Sequence, residues 1–140
     1  MVDGLRAKAG IEHTFGAVMA PEARARLASE HPPVEHPVVR THPETGEKLL
    51  FVGAGFSTHF VNYSTPENVR HGIDKAPGAA LLMNYLISRA TIPEYQVRWS
   101  WKPGDVAVWD NRSTQHYALN DYHPAPRRME RAGIVGDIPR

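Results

Sequence analysis

Residues 96–101, Gln-Val-Arg-Trp-Ser-Trp, alternate strictly between polar and apolar side chains. An extended strand turns that period of two into two faces, with Val97, Trp99 and Trp101 on one and Gln96, Arg98 and Ser100 on the other. Lys102-Pro103-Gly104-Asp105 reads as a turn, proline supplying a fixed φ and glycine a permissive one. Val106-Ala107-Val108-Trp109 then returns as the apolar partner strand. The spacing therefore predicts a hairpin that leads directly to Asp110-Asn111 and, just past a turn, to His116.

The rest of the chain is punctuated in the same way. Twelve prolines and eleven glycines in 140 residues imply many turns and short elements, a strand-rich fold rather than a helix bundle. Val34 to Arg40, the turn-rich Thr41 to Glu47 and the apolar Lys48 to Val52 read as a second hairpin. Gly53-Ala54-Gly55 allows close backbone approach, and Phe56 after it faces either a pocket or the core. Arg127 to Val135 is a last strand, placing Arg127, Met129 and Arg131 on one face.

Two helices complete the expected fold. Pro21 to Ala28 opens with proline and glutamate and continues with good helix formers, which predicts a short surface helix. Leu81, Leu82, Tyr85, Leu86 and Arg89 recur at helical spacing until Pro93. Ser64 to Gly78 between them is an irregular, polar excursion, and Met1 to about Gly16 reads as a linker or a remnant of a longer element, with Leu5, Ile11 and Phe15 as isolated anchors.

Charge and composition narrow the partners. Sixteen basic against fifteen acidic residues leave a net charge of +1, which gives no field that gathers nucleic acid or membrane lipid. The longest apolar run, Ala79 to Met83, is far too short for a membrane span, and the absence of cysteine fits a reducing cytoplasm. One domain, residues 1–140, is the expectation. Of eight histidines, His31, His36, His42 and His123 lie beside or near prolines, which places them in loops.

Chemistry concentrates near the C-terminus. His116 is a candidate metal ligand, general base or hydrogen-bonded core residue. Two guanidinium groups, Arg127 and Arg131, offer planar forks suited to carboxylate or sulfonate oxygens, or else pair on the surface with Asp105, Asp121 or Asp137. A histidine beside a double anion site suits a metal that activates an acidic cosubstrate.

The run Trp109-Asp110-Asn111-Arg112, then Thr114-Gln115-His116-Tyr117-Ala118, Asp121-Tyr122, Arg127, Met129, Arg131 and Gly136-Asp137 resembles the C-terminal signature of the taurine dioxygenase family of Fe(II)- and 2-oxoglutarate-dependent oxygenases. His36 to Pro43, Thr45-Gly46, Leu50 to Val52, Tyr95 to Trp99 and Gly4 to Ala7 are similar to upstream segments of that family. The resemblance implies part of a double-stranded β-helix, or jelly roll, mainly β with flanking helices. It implies His116 as an iron ligand, Arg127 as the clamp on 2-oxoglutarate, and Arg131, Phe56 and Trp109 as the substrate pocket. The implied reaction uses O2 to hydroxylate a small anionic substrate, a sulfonate first and an alkyl sulfate or aryloxy acid after it, with release of succinate and CO2.

One departure bears on the chemistry. The family's other two iron ligands form an H-x-D pair, and no H-x-D occurs in this sequence; the nearest form, His42-Pro43-Glu44, lies in the hairpin turn. The expectation is a C-terminal portion of the family fold that leaves sheet edges unpaired and therefore self-associates. A second expectation is a catalytically inactive homologue acting as an anion-binding or oligomerising domain. A third, a histidine-rich zinc binder, rests on the histidine count alone.

Overall fold

A computed structural model describes residues 2–63 and 77–139. Arg6–Ala9 forms β1, the middle strand of a three-stranded antiparallel sheet, flanked by β2 (Val34–Pro37) and β5 (Ser57–Phe60). Ala7 lies opposite His36 on one side and Phe60 on the other. This overturns the reading of the N-terminal stretch as a linker. Its only buried strand side chain is a small alanine between two basic residues, so no apolar period marks it, and neighbouring strands set its conformation. Pro37 is accommodated because β2 is an edge strand, where a missing N–H breaks no ladder.

The expected hairpin in the middle of the chain forms in part, from β3 (Val39–Thr41) and β4 (Lys48–Leu50), with Val39 opposite Leu50 and Thr41 opposite Lys48, while Val34–Pro37 of its expected first arm pairs with β1 instead. Its loop closes through the His42 N–H donating to the Glu47 carbonyl at 2.8 Å and the Gly46 N–H to the His42 carbonyl at 2.9 Å. Gly46 sits at φ +73°, a conformation that favours glycine. Val38 stands between the two sheets. Its N–H donates to the Leu5 carbonyl at 2.8 Å and its carbonyl accepts from Phe51 N–H at 2.7 Å.

Val38 and Phe60, both with no exposed surface, centre the core, with Ala7, Val52, Ala79, Met83 and Leu86 around them. Each large side chain sealed this way contributes about 1.5–3 kcal/mol. The helices are α1 (Glu12–Phe15), α2 (Pro21–Glu30) and α3 (Pro77–Ser88). Pro21 starts α2, as its sequence predicts, and none of its side chains is buried. The core-facing side of α3 carries Ala79, Met83 and Leu86, whereas Leu81 and Tyr85 of the expected stripe are 71% and 58% exposed. With apolar residues around most of the helix, spacing alone did not choose the face. No helix among the described residues is long and apolar enough to cross a membrane.

Beyond Tyr95 the structure departs from expectation. The Lys102–Asp105 turn forms, with Asp105 N–H donating to Lys102 carbonyl at 3.1 Å and Gly104 at φ +89°. Its flanks, Gln96–Trp101 and Val106–Trp109, do not pair as strands, and Arg127–Val135 is also irregular. None of the five strands among the described residues pairs with these segments, and a two-stranded hairpin alone is marginal in water. Val97, Val106 and Val108 consequently stand 91%, 84% and 90% exposed. The expected excursion from Ser64 to Gly78 falls mostly on residues 64–76, which lie outside the described residues.

Candidate active site

The segment that carries His116 is wound around one carboxylate. The Asp110 carbonyl accepts Thr114 N–H at 3.1 Å and Thr114 Oγ1–H at 2.6 Å, while Asp110 Oδ1 accepts Arg112 N–H at 2.8 Å. The Arg112 guanidinium folds back on the same carboxylate, with Nε 3.0 Å from Oδ1 and Nη2 2.8 Å from Oδ2. A short polar side chain with its following N–H groups in reach is the usual basis of such a turn.

This turn is tied to the hairpin loop. His42 is 6% exposed, and its Nε2 lies 2.9 Å from Asp110 Oδ2. Its Nδ1 accepts the N–H groups of Glu44 and Thr45, each at 3.2 Å. An imidazole that accepts at Nδ1 carries its proton on Nε2, so the ring donates to Asp110. Arg112 Nη1 also donates to Glu44 Oε1 at 3.2 Å. The Arg112 guanidinium, followed by the His42 N–H, holds the Asp110 carboxyl well below the usual carboxylate range. Asp110 in turn raises the Arg112 pKa above its ordinary value.

His36 corrects the expectation that proline-adjacent histidines lie in loops, since it is in β2, whereas His42 lies in the hairpin loop as expected but is buried there. Sequence reasoning also passed over Asp110, Arg112 and Gln115 as partners of the body. The available signal was the D-x-R spacing next to a turn, since a carboxylate and guanidinium so placed neutralise each other and leave capacity for one more donor.

Gln115 makes the next attachment. Its Nε2 donates to the Val52 carbonyl at 2.7 Å, passing over Gly53, where a Cβ would come within 3.1 Å of Gln115 Oε1. The close backbone approach expected at the glycines is therefore realised at Gly53. His116 follows, exposed, with the Trp109 ring tilted over it at a centroid distance of 5.3 Å.

A shallow hollow of about 330 Å³ begins two residues past His116, lined by Ala118, Leu119, Asn120, Tyr122, Arg127 and Met129. The Arg127 guanidinium lies 5.2 Å from the Tyr122 ring centre, and its Nη1 donates to the Leu119 carbonyl at 3.5 Å. Arg131 does not line this hollow. Without a strand from Arg127 to Val135, nothing enforces the common face expected of Arg127 and Arg131. Neither arginine forms an ion pair among the described residues, and Asp137 pairs instead with the buried Arg40 at 3.7 Å. Phe56 is 48% exposed and packs against Phe15 at 6.4 Å.

The iron that the family resemblance implies was tested against these residues. Among the described residues, no group of three or more His, Cys, Asp or Glu side chains could hold a metal ion. Asp110 is saturated by Arg112 and His42, and His116 has an indole beside it rather than a carboxylate. The donors present do not make an iron site by themselves.

Comparison with known proteins accounts for most of the chain. The family model for "Taurine catabolism dioxygenase TauD, TfdA family" matches residues 1–132. An alkylsulfatase of Acinetobacter baylyi is 44% identical over 104 residues, covering 74% of this chain and 29% of that protein. An alpha-ketoglutarate-dependent sulfate ester dioxygenase of Pseudomonas putida is 42% identical over 109 residues, covering 75% of this chain and 31% of its own length. A crystal structure of a candidate alpha-ketoglutarate-dependent 2,4-D dioxygenase from Burkholderia xenovorans superposes with a TM-score of 0.50 at 28% identity, covering 72% of this chain and 34% of that one. The chain thus spans about a third of the length of these proteins.

Proposed function

The chain belongs to the taurine catabolism dioxygenase TauD, TfdA family, whose members depend on Fe(II) and 2-oxoglutarate, and from that premise we propose that its residues form the anion-binding, C-terminal share of such an oxygenase. The whole enzyme would use O2 and 2-oxoglutarate to hydroxylate a small anionic substrate, releasing succinate and CO2. A sulfonate or sulfate ester is the favoured class, since relatives are named for sulfate ester and sulfonate chemistry. The observation that carries the reading is the family match over residues 1–132, which spans Phe56, Trp109, His116, Arg127 and Arg131 in one alignment.

In this reading His116 is one iron ligand, Arg127 clamps 2-oxoglutarate, and Arg131, Phe56 and Trp109 line the substrate pocket. Arg127 supports its assignment by lining the apolar hollow beside Tyr122 without a carboxylate partner among the described residues. The fold proposed is part of a double-stranded β-helix within a single domain, residues 1–140, and the small antiparallel sheets are consistent with it. The cysteine-free composition favours the cytoplasm, and the near-neutral charge gives no reason for a nucleic-acid or membrane partner. The unpaired, exposed Val97, Val106 and Val108 favour a homo-oligomer in which these segments meet a second copy.

Titration of the pure chain with 2-oxoglutarate tests the assignment. Binding is expected, and Arg127→Gln is expected to weaken it about tenfold or more, the scale of a lost charge-assisted hydrogen bond. Equal affinity in the variant would remove Arg127 from the site. With Fe(II), 2-oxoglutarate and taurine, the pure chain is expected to form no succinate, because its described residues assemble no three-ligand metal site. The same observation favours a second reading, an inactive domain that retains its anion clamps. Mixing in an N-terminal share of the family fold that carries the H-x-D pair but lacks the segment matched here separates the two, since only the first reading then yields succinate.

A further inference from the structure

Residues 109–139 contribute no strand, yet the His116 segment is not adrift. Its polar attachments to the body among the described residues all reach the β3–β4 hairpin, its loop or the residues just after it, through His42–Asp110, Glu44–Arg112, Val52–Gln115 and Arg40–Asp137. Three of these four involve Asp110 or residues within five positions of it. Only His42 among the partners of Asp110 is both buried and part of the hairpin.

We infer that His42 is a positioning residue for His116, acting through Asp110. The ring is fixed at one end by two backbone amides of its own loop, which oblige the other nitrogen to donate. That N–H holds Asp110 Oδ2, leaving Oδ1 free to accept the Arg112 amide and start the turn. The Asp110 carbonyl closes the turn at Thr114. Trp109 and His116 are thereby brought together as the two ends of the wound segment, ring against ring at 5.3 Å. Gln115 sets the remaining direction by reaching Val52. An exposed imidazole with no hydrogen-bond partner among the described residues acquires a defined place from a buried imidazole that never touches it.

The inference rests on His116 being an iron ligand for its functional meaning, and the geometry stands apart from that. Two substitutions separate the roles of the two His42 nitrogens. His42→Asn keeps an acceptor near Nδ1 for the Glu44 and Thr45 amides and loses the donor to Asp110. His42→Gln keeps a donor near Nε2 and loses the acceptor. The probe is the aromatic C–H signal of His116 in histidine-labelled full chain, displaced by the ring current of Trp109 and identified by its loss in His116→Gln.

In His42→Asn the signal is expected to return toward the position of free histidine, while His42→Gln retains the displacement. A merely structural role in the loop predicts the reverse order, which would overturn the proposal. Should His42→Asn not fold, Asp110→Asn gives the same reading: a displacement left intact there also overturns it. Titration with Co(II), with the family's H-x-D-bearing N-terminal share added as a separate chain, forms the separate arm. Paramagnetic broadening of the His116 signal supports its role as a ligand, and a signal untouched by Co(II) overturns that role without altering the His42 result.

Discussion

The Nε2–H of His42 donates to Asp110 Oδ2 across 2.9 Å, joining residues 68 positions apart in the chain. One end of this bond belongs to a loop between paired strands, and the other to a segment without strands. Interactions made by ionised groups are the stronger hydrogen bonds, and this one shares its carboxylate with a guanidinium. The candidate site is thus fastened by charge rather than by backbone ladders.

Acid should leave that fastening intact longer than an ordinary carboxylate would allow. Asp110 has its folded pKa lowered, so its contribution to stability is whole above about pH 3.9, the free carboxyl value, and is lost only as pH falls through the folded value. The side-chain carbonyl carbon of Asp110, followed by NMR, is expected to show no titration between about pH 6 and about pH 4, where ordinary glutamates already respond. A midpoint in the ordinary carboxyl range would contradict the pairing.

Gly53→Ala is expected to dislodge Gln115. The added Cβ would lie 3.1 Å from Gln115 Oε1, and the tip of that side chain is what can move. Its hydrogen bond to the Val52 carbonyl is then lost, a cost of about 1 kcal/mol. Denaturant unfolding measures that loss, and the Gln115 side-chain amide signals should move with it.

The sequence made the β3–β4 hairpin, α2, the Lys102–Asp105 turn and the close approach at Gly53 readable, because each is written in local spacing or in Pro and Gly chemistry. β1 was invisible because one buried alanine carries no period. The alternating Gln96–Trp101 segment misled in the opposite direction: its period is real, but a strand also needs a neighbour to accept its hydrogen bonds. In the site, residue types were legible and partnerships were not. His42 and Asp110 stand in separate motifs, and only the folded chain brings them together.

Core and surface substitutions should separate widely. Phe60→Ala removes a side chain with no exposed surface at the centre of the core, and a loss of about 3–5 kcal/mol is expected. Ile134 is 99% exposed, so Ile134→Ser should change stability by no more than about 0.5 kcal/mol. Thermal or denaturant melts of the two variants check both. A large effect at Ile134 would show that its surface is covered in solution, as an oligomer would require.

His36 should make the protein less stable in mild acid. Burial, and then the positive charges of Arg40 and Arg6, lower its pKa. The unfolded chain therefore binds more protons than the folded one as pH falls below about 6.5, and stability declines until the folded value is passed. His36→Phe removes the titrating group, along with a buried Nδ1 that has no hydrogen-bond partner, and can keep an aromatic edge on Phe51. Its unfolding midpoint is expected to depend less on pH between about 7 and about 5 than that of the parent. An unchanged slope would assign the acid sensitivity to other groups.

Val38, joined to Leu5 through its N–H and to Phe51 through its carbonyl, works as a rivet between two plates. Neither sheet can swivel without shearing a backbone bond that is sealed from water. The loop that grips Asp110 springs from one of those plates only a few residues away. The placement of an exposed histidine is therefore borrowed from a framework residue with no exposed surface, so a substitution that loosens this rivet should blur the site from a distance while leaving every side chain of the site in the sequence.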